Sequence, residues 1–242
     1  MVRAIRNVRL VFAIEISISC LGPNGAEYDG EWKQGKAHGK GKFIHASGDV
    51  YEGDWVEDKV EGHGTYTHAD GSTYTGDWHE DKQHGKGKES WPDGSVYEGD
   101  YVSGKKEGKG VFKWADGSFY DGAFHDNNIH GYGVYTWGDG RKYEGNWVNN
   151  KMSGTGKFVW PDGRMYEGGY EEDQKHGFGT FHWADGSCYA GGWVNGKRHG
   201  KGKYTNSKGV TKEGEWENGE RLRWLDGPAT AGSDDSPKEQ VA

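Results

Sequence analysis

The sequence predicts an all-β fold: an elongated, single, twisted antiparallel sheet built of stacked 23-residue β-hairpin repeats. Three observations lead there. Most of the 44 glycines fall in four columns of one 23-residue lattice. Apolar side chains within each unit alternate with period two, as strands require. Turn residues such as Pro-Asp-Gly recur once per unit between the alternating runs.

The first glycine column runs without a miss through Gly30, Gly53, Gly76, Gly99, Gly122, Gly145, Gly168, Gly191 and Gly214. Three more start at Gly39, Gly41 and Gly48 and reach Gly200, Gly202 and Gly209. Such an array needs no central globular core, because each unit packs on its neighbours. That matters here. Leu, Ile, Val and Phe make up about 14 % of the chain, a composition that otherwise signals disorder. The apolar material is aromatic instead, with 12 Trp and 14 Tyr.

Residues 1–22 form a segment of their own. Arg3, Arg6 and Arg9 precede the apolar run Leu10 to Ile14, as in a targeting segment. Leu10, Phe12, Ile14, Ile16, Ile18 and Cys20 also alternate like a strand. A degenerate capping strand, a targeting segment and a disordered arm all remain open, with the capping strand preferred. The array occupies residues 23–225, with eight full repeats from Tyr28 and a partial ninth. Residues 226–242 are Gly, Pro, Ala, Ser and charge, a disordered tail.

The second unit serves as the type. Tyr51, Gly53 and Trp55 share one face; Glu52 and Asp54 share the other. A loop follows, then a second strand with Gly64, Tyr66 and His68 on one face. The loop equivalent in the first unit, Lys36-Ala37-His38-Gly39, is expected to be long. Trp91-Pro92-Asp93-Gly94 and Trp160-Pro161-Asp162-Gly163 mark the tighter turns. Glycine inside a strand costs stability. Its use here is to let a neighbouring strand's ring lie flat over bare backbone. Substitution of Gly99 by Val is therefore expected to be severe, and of Ser95 by Val mild.

These residues carry a family resemblance. Tyr51-x-Gly53-x-Trp55 followed by Gly62-x-Gly64, and more fully Tyr189-x-Gly191-x-Trp193-x-x-Gly196-x-x-His199-Gly200-x-Gly202, resemble MORN repeats. The resemblance covers roughly residues 23–219 and recurs eight times in register. Tyr101, Phe124 and Tyr170 replace the Trp. Lys212 replaces the Tyr of the last unit, which reads as an array end, and Glu89 occupies an aromatic position, which reads as a local weak point. The resemblance implies a β-hairpin stack of the kind found in cytoskeletal, ciliary and membrane-junction scaffolds, or fused to phosphatidylinositol-phosphate kinases and SET-domain methyltransferases. It also implies membrane or phosphoinositide attachment, dimer formation and capture of a partner peptide as family behaviours.

Chemistry was sought and not found. His38, His84, His130, His176 and His199 share a column, but only the last two lie in adjacent units. Adjacent hairpins are about 9–10 Å apart, given a strand spacing near 4.8 Å; two ligands make no zinc site. Gly39-Lys40-Gly41-Lys42 lacks the spacing of a phosphate loop. Glu31, Asp54, Asp77 and Asp100 recur as an outward stripe with no pair singled out. Cys20 and Cys188 are no disulfide framework. No catalytic residue, metal or cofactor is expected, and a net charge of −8 argues against nucleic acid as a partner.

The expected function is a non-catalytic scaffold in the cytoplasm, at cytoskeleton, cilium or membrane. It would bind a helix or extended segment of a partner protein along a groove lined by Tyr97, Trp114, Tyr120, Trp137, Tyr143 and Trp160. The alternative is a peripheral membrane adaptor that binds acidic phospholipid or phosphoinositide through Lys40, Lys42, Lys86, Lys88, Lys201 and Lys203. The bland account of those lysines is a cross-strand charge ladder. Exposed array ends would permit a homodimer.

Overall fold

A computed structural model describes residues 18–21 and 25–225 of the chain. The expectations for a targeting segment upstream of Ile18 and for a disordered tail at 226–242 lie outside the described residues. Among the described residues there is no helix, and the strands of each hairpin run antiparallel.

Strands of seven and nine residues alternate. The shorter ones are Glu27–Lys33, Val50–Val56, Thr73–His79, Val96–Val102, Phe119–His125, Lys142–Val148, Met165–Glu171, Cys188–Val194 and Thr211–Glu217. The longer ones are Lys36–Ile44, Lys59–Thr67, Lys82–Ser90, Lys105–Lys113, Asn128–Thr136, Lys151–Val159, Gln174–His182 and Lys197–Thr205. Ile18–Leu21 opens the series and Glu220–Trp224 closes it. Ile18 faces Gly30 and Cys20 faces Tyr28. Gly41–Gly53 and Phe43–Tyr51 repeat that register one unit later.

The chain divides into two compact units. The first holds residues up to Ala115 together with 124–127; the second holds 116–123 and the residues from Asn128 onward. In each, successive strands pair with their sequence neighbours as an antiparallel meander.

The loop expected at Lys36-Ala37-His38-Gly39 is not a loop. These residues open a nine-residue strand, and the true connection has two residues. At that connection both residues take positive φ, as Glu57 (50°) and Asp58 (70°) do. That is a type I′ turn, whose twist matches the strands it joins. Non-glycine residues tolerate it because Asp and Asn are the side chains best suited to the left-handed region. They also bond to the preceding hairpin. Asp58 N–H donates to Ala37 O at 3.0 Å, and Asp58 Oδ1 accepts from Ala37 N–H at 2.7 Å. Asn150 and Ile129 make the same reciprocal pair in the second unit, at 2.9 and 2.8 Å.

What made the loop look long is a bulge. Gly53 faces Gly64 while Trp55 faces Val60, so Asp54 alone opposes three residues. Gly62 supplies the positive φ that such a bulge needs, at 68°. Asp54 Oδ2 then accepts from His63 N–H at 2.9 Å. Glu31, Asp77 and Asp100 do the same for Lys40, Lys86 and Lys109 at 3.0 Å. The acidic stripe thus caps bulge amides in the first unit. The same column of the second unit holds Ala123, Asn146, Gly169 and Gly192, and a carboxylate returns only at Glu215, which pairs with Arg223.

The turn serines are buried, not exposed. Ser95 is 5 % exposed. Its Oγ accepts from Ala115 N–H of the next turn at 3.1 Å and donates to Asp93 Oδ2 at 3.1 Å. A Ser95→Val change therefore removes two bonds and is not mild.

Candidate partner-binding face

The tyrosine at the start of each short strand organises the core. Its ring lies flat over its own strand's glycine two residues on and over the glycine opposite. A Cβ added to Gly145 would stand 2.5 Å from the Tyr143 hydroxyl and 2.6 Å from Gly156 Cα. For the glycine opposite, such as Gly156, the ring comes from the neighbouring strand, as expected; for Gly145 it comes from the same strand. The hydroxyl ends on a backbone carbonyl of the bulge: Tyr51 donates to Asp54 O at 3.2 Å and Tyr143 to Asn146 O at 3.1 Å. Burial pushes the hydroxyls of Tyr28, Tyr120 and Tyr189 up to about 12.

These tyrosines stand edge-on between two further rings. Tyr51 meets Trp55 at 5.3 Å and Trp78 at 5.4 Å, both near perpendicular. Tyr166 meets Tyr170 and Trp193 likewise, each at 5.2 Å. The indole N–H then reaches back one repeat. Trp55 donates to Gly41 O at 3.1 Å, Trp78 to Gly64 O at 3.2 Å and Trp193 to Gly179 O at 3.1 Å. T-shaped rings are favoured by their quadrupoles, and the bonded indoles tie their repeats to the preceding ones. This ladder is closed to solvent: Tyr97, Tyr120 and Tyr143 have no exposed area.

A second ladder is half open. In the second unit Trp137 lies 5.2 Å from Phe158, Phe158 4.3 Å from Trp160, and Trp160 5.6 Å from Phe181. Trp137 and Trp160 are half-buried. Each carries a guanidinium on its face: Arg141 over Trp137 at 5.5 Å, Arg164 over Trp160 at 5.4 Å. Asp139 and Asp162 hold those arginines by Nε at 2.7 Å. Lys175 Nζ lies 5.3–5.6 Å from the centroids of Trp160, Tyr166, Phe181 and Trp193. Cations so placed are attracted to the ring faces. Trp137, Phe158, Trp160, Phe181, Arg141, Arg164 and Lys175 line a groove of about 430 Å³. Lys197 and Asp173 complete its charged lining, while the two arginines are paired with Asp139 and Asp162.

Of the six ring residues expected to form a groove, Trp137 and Trp160 come together in this one. Trp114 belongs to the first unit, where it stacks on Phe112 at 4.4 Å and is half-buried. Tyr97, Tyr120 and Tyr143 lie beneath the surface. Sequence reasoning missed Arg141, Arg164 and Lys175, though a signal existed. Arg141 and Arg164 interrupt a column that reads Ser72, Ser95, Ser118 and Ser187 elsewhere. Lys175 stands in a column that is apolar at Ala37, Val60, Ile129 and Met152 but cationic at Lys106 and Arg198, which also lie over rings.

The six lysines proposed to face lipid each oppose an acid. Lys40 pairs with Asp54 at 2.6 Å, Lys86 with Asp100 at 2.5 Å and Lys203 with Glu213 at 3.1 Å. Lys42, Lys88 and Lys201 sit across the ladder from Glu52, Glu98 and Glu215. Among the described residues no group of three His, Cys, Asp or Glu gathers as a metal would require. Glu89, the acid at an aromatic position, is bound by Lys106 Nζ at 2.5 Å and by the Tyr101 hydroxyl at 3.0 Å.

The sequence profile of the MORN repeat matches residues 28–50, 51–73, 74–96, 97–119, 120–140, 143–163, 166–188 and 189–211. No curated protein matches the chain in sequence. Among solved structures, the chain is similar to the TCP10 domain of CPAP from Danio rerio, at 12 % identity and TM-score 0.45, over 87 % of this chain and 100 % of that one. It is also similar to the TCP domain of SAS-4 from Drosophila melanogaster, solved with a proline-rich motif of Ana2, at 9 % identity and TM-score 0.36, over 88 % and 99 %.

Proposed function

The chain belongs to the MORN-repeat family, and from that premise we propose that it is a non-catalytic scaffold holding a segment of a partner protein along the ring face of its second unit. The observation that carries this reading is the half-open ladder of Trp137, Phe158, Trp160 and Phe181 with cations laid over it. Half-buried indoles with an arginine laid over them are the residue types that dominate binding energy at protein interfaces. Repeat arrays present such surfaces continuously. The lysine strip supports an acidic-lipid reading less well, since each of its six lysines faces a carboxylate that offsets attraction to an anionic surface. A place in the cytoplasm, at cytoskeleton or cilium, goes with the scaffold reading as an expectation.

Affinity capture with the full chain tests this, comparing wild type with Trp137→Ala and Trp160→Ala. Captured proteins should be lost from both variants while the β-sheet circular dichroism signal persists. Undiminished capture by folded variants would remove the groove from the proposal.

A further inference from the structure

We infer that the outer face of the second unit, opposite the ring ladders, docks on the same face of a second copy of this chain, each Phe178 seated over the backbone at Gly192 of the other copy. The inference concerns a different face from the partner-binding groove and stands independently of it.

The outer face is a charge ladder with one interruption. In the first unit Lys40 pairs with Asp54 at 2.6 Å, His63 with Asp77 at 3.2 Å and Lys86 with Asp100 at 2.5 Å. Near the end of the second unit Lys201 lies across from Glu215. Between them both members of the rung change together. Tyr132 lies across from Asn146, Thr155 from Gly169 and Phe178 from Gly192. Phe178 and Tyr132 are 70 % and 57 % exposed, more than any other large apolar side chain among the described residues. The Tyr132 hydroxyl donates to Glu144 Oε1 at 2.8 Å. Phe178 has no polar atom, so its ring gains only by leaving water.

The surface beside that ring suits a second ring. The His199 carbonyl fills the place a Cβ of Gly192 would take, and no side chain stands within 4 Å of it. The positive edge of an aromatic ring complements such an oxygen. The next rungs, Thr180 across from Ala190 and His182 across from Cys188, carry no carboxylate, ammonium or guanidinium.

A knob and its seat side by side make one surface self-complementary. A twofold axis parallel to the strands, between Gln174–His182 and Cys188–Val194, sets Phe178 on Gly192, Thr180 on Ala190 and His182 on Cys188, in both directions. The same rotation sets Glu167 opposite Lys203 and Lys157 opposite Glu213, so no like charges meet. Lys203 is already bonded to Glu213 at 3.1 Å in its own sheet. The charges therefore permit the pairing, and the ring selects it. An axis moved onto Gln174–His182 would set Phe178 against itself and Lys157 against Lys203.

The face is large enough. The strands from Lys142–Val148 to Glu220–Trp224 span about 38 Å at about 4.8 Å each, and seven residues of strand about 20 Å. That is about 760 Å² in plan, against ~800 Å² per partner in a standard interface. The outer face of the first unit serves less well, since its ion pairs would have to leave water.

Light scattering of the full chain should show a dimer with a Kd of about 1–100 μM. Phe178→Lys restores the residue type of Lys40, Lys86 and Lys201. It should weaken the dimer at least about tenfold with circular dichroism unchanged. Native Cys188 reports the location. Its two copies would lie one strand spacing and one sheet spacing apart, about 11 Å between Cα atoms. In Cys20→Ser protein a bismaleimide of that reach should couple two chains through Cys188, and Phe178→Lys should abolish the product. A monomer at every concentration up to about 500 μM would overturn the inference. So would a dimer that survives Phe178→Lys, or one that leaves Cys188 uncoupled while a small maleimide still labels it. Either of those dimers would point to the array ends instead.

Discussion

Tyr97 lies across Gly110 so closely that a Cβ on that glycine would stand 2.5 Å from the tyrosine hydroxyl. The contact is with a fully buried ring whose hydroxyl donates to Asp100 O at 3.2 Å, so it has nowhere to retreat.

Gly110→Ala should therefore destabilise the first unit by about 2–4 kcal/mol, the range of severe overpacking. Gly163→Ala makes the control. Gly163 has φ of 91°, but an added methyl meets no atom within 4 Å. Only backbone strain remains there, about 1–2 kcal/mol. Urea unfolding followed by tryptophan fluorescence ranks the two, and an equal cost would contradict the account of the ring floor.

The turn locks can be separated from turn conformation at Asn150. Asn150→Ala loses the bond to Ile129 N–H and also strains a residue at φ 68°. Both variants also lose the bond from Asn150 Nδ2 to Asn128 Oδ1 at 2.6 Å, and Asn150→Gly loses the side-chain bonds without the strain. Alanine should cost about 2 kcal/mol and glycine about 1 kcal/mol. Amide exchange at Ile129 should quicken in both variants.

Glu89 and Lys106 replace an aromatic and an aliphatic residue together, and Lys106 Nζ also sits 4.9 Å from the Tyr97 ring centroid. Removing one charge leaves the other nearly enclosed. Lys106→Met or Glu89→Phe alone should cost about 3 kcal/mol, and the double change should recover most of it. A double-mutant cycle in thermal melts measures the coupling. Additive losses would show that the pair acts independently.

Alkali should unfold the array through its tyrosines. An unfolded tyrosine ionises near 10, whereas Tyr28, Tyr120 and Tyr189 are pushed up to about 12 by burial. A raised acid is protonated in the fold when the unfolded chain has already lost its proton. Its contribution is intact below pH 10 and is lost as pH rises toward 12. Each such tyrosine removes about 1.4 kcal/mol per pH unit across that interval. Phenolate absorbance and unfolding should rise together in a pH titration; phenolate formation in an intact fold would contradict the burial.

The glycine lattice made the hairpin and its repeat legible, because a 23-residue period with strand alternation admits few other folds. The ring-over-glycine contact was legible too, as a need for bare backbone beside aromatics. The donor of the ring was legible only for the glycine across the strand pair, as for Tyr97 over Gly110; nothing in spacing alone shows that the same ring also covers Gly99 of its own strand. The two-residue turn was hidden by its own chemistry. Glu57-Asp58 carries no glycine, although Asn195-Gly196 and Asn218-Gly219 at equivalent positions spell a type I′ turn outright. In the candidate site, Trp137 and Trp160 could be read from their column. Arg141, Arg164 and Lys175 needed the opposite habit, attention to where a column breaks. The burial of Tyr120 and Tyr143 depends on rings from the next unit, which single positions do not encode.

The bonds from turn to turn join residues 20 or 21 positions apart: Asp58 to Ala37, Asn150 to Ile129, Ser95 to Ala115. Each donor is a backbone amide, and each acceptor side chain has an equivalent one repeat on, Asp81, Asp173 and Ser118. Excising a whole unit, or duplicating one, rejoins every such pair with an equivalent mate. Losing a single residue within a strand breaks all of them locally. Lineages of this architecture are therefore free to lengthen or shorten in whole-unit steps, and a reading surface of fixed pitch can grow by copying without being redesigned.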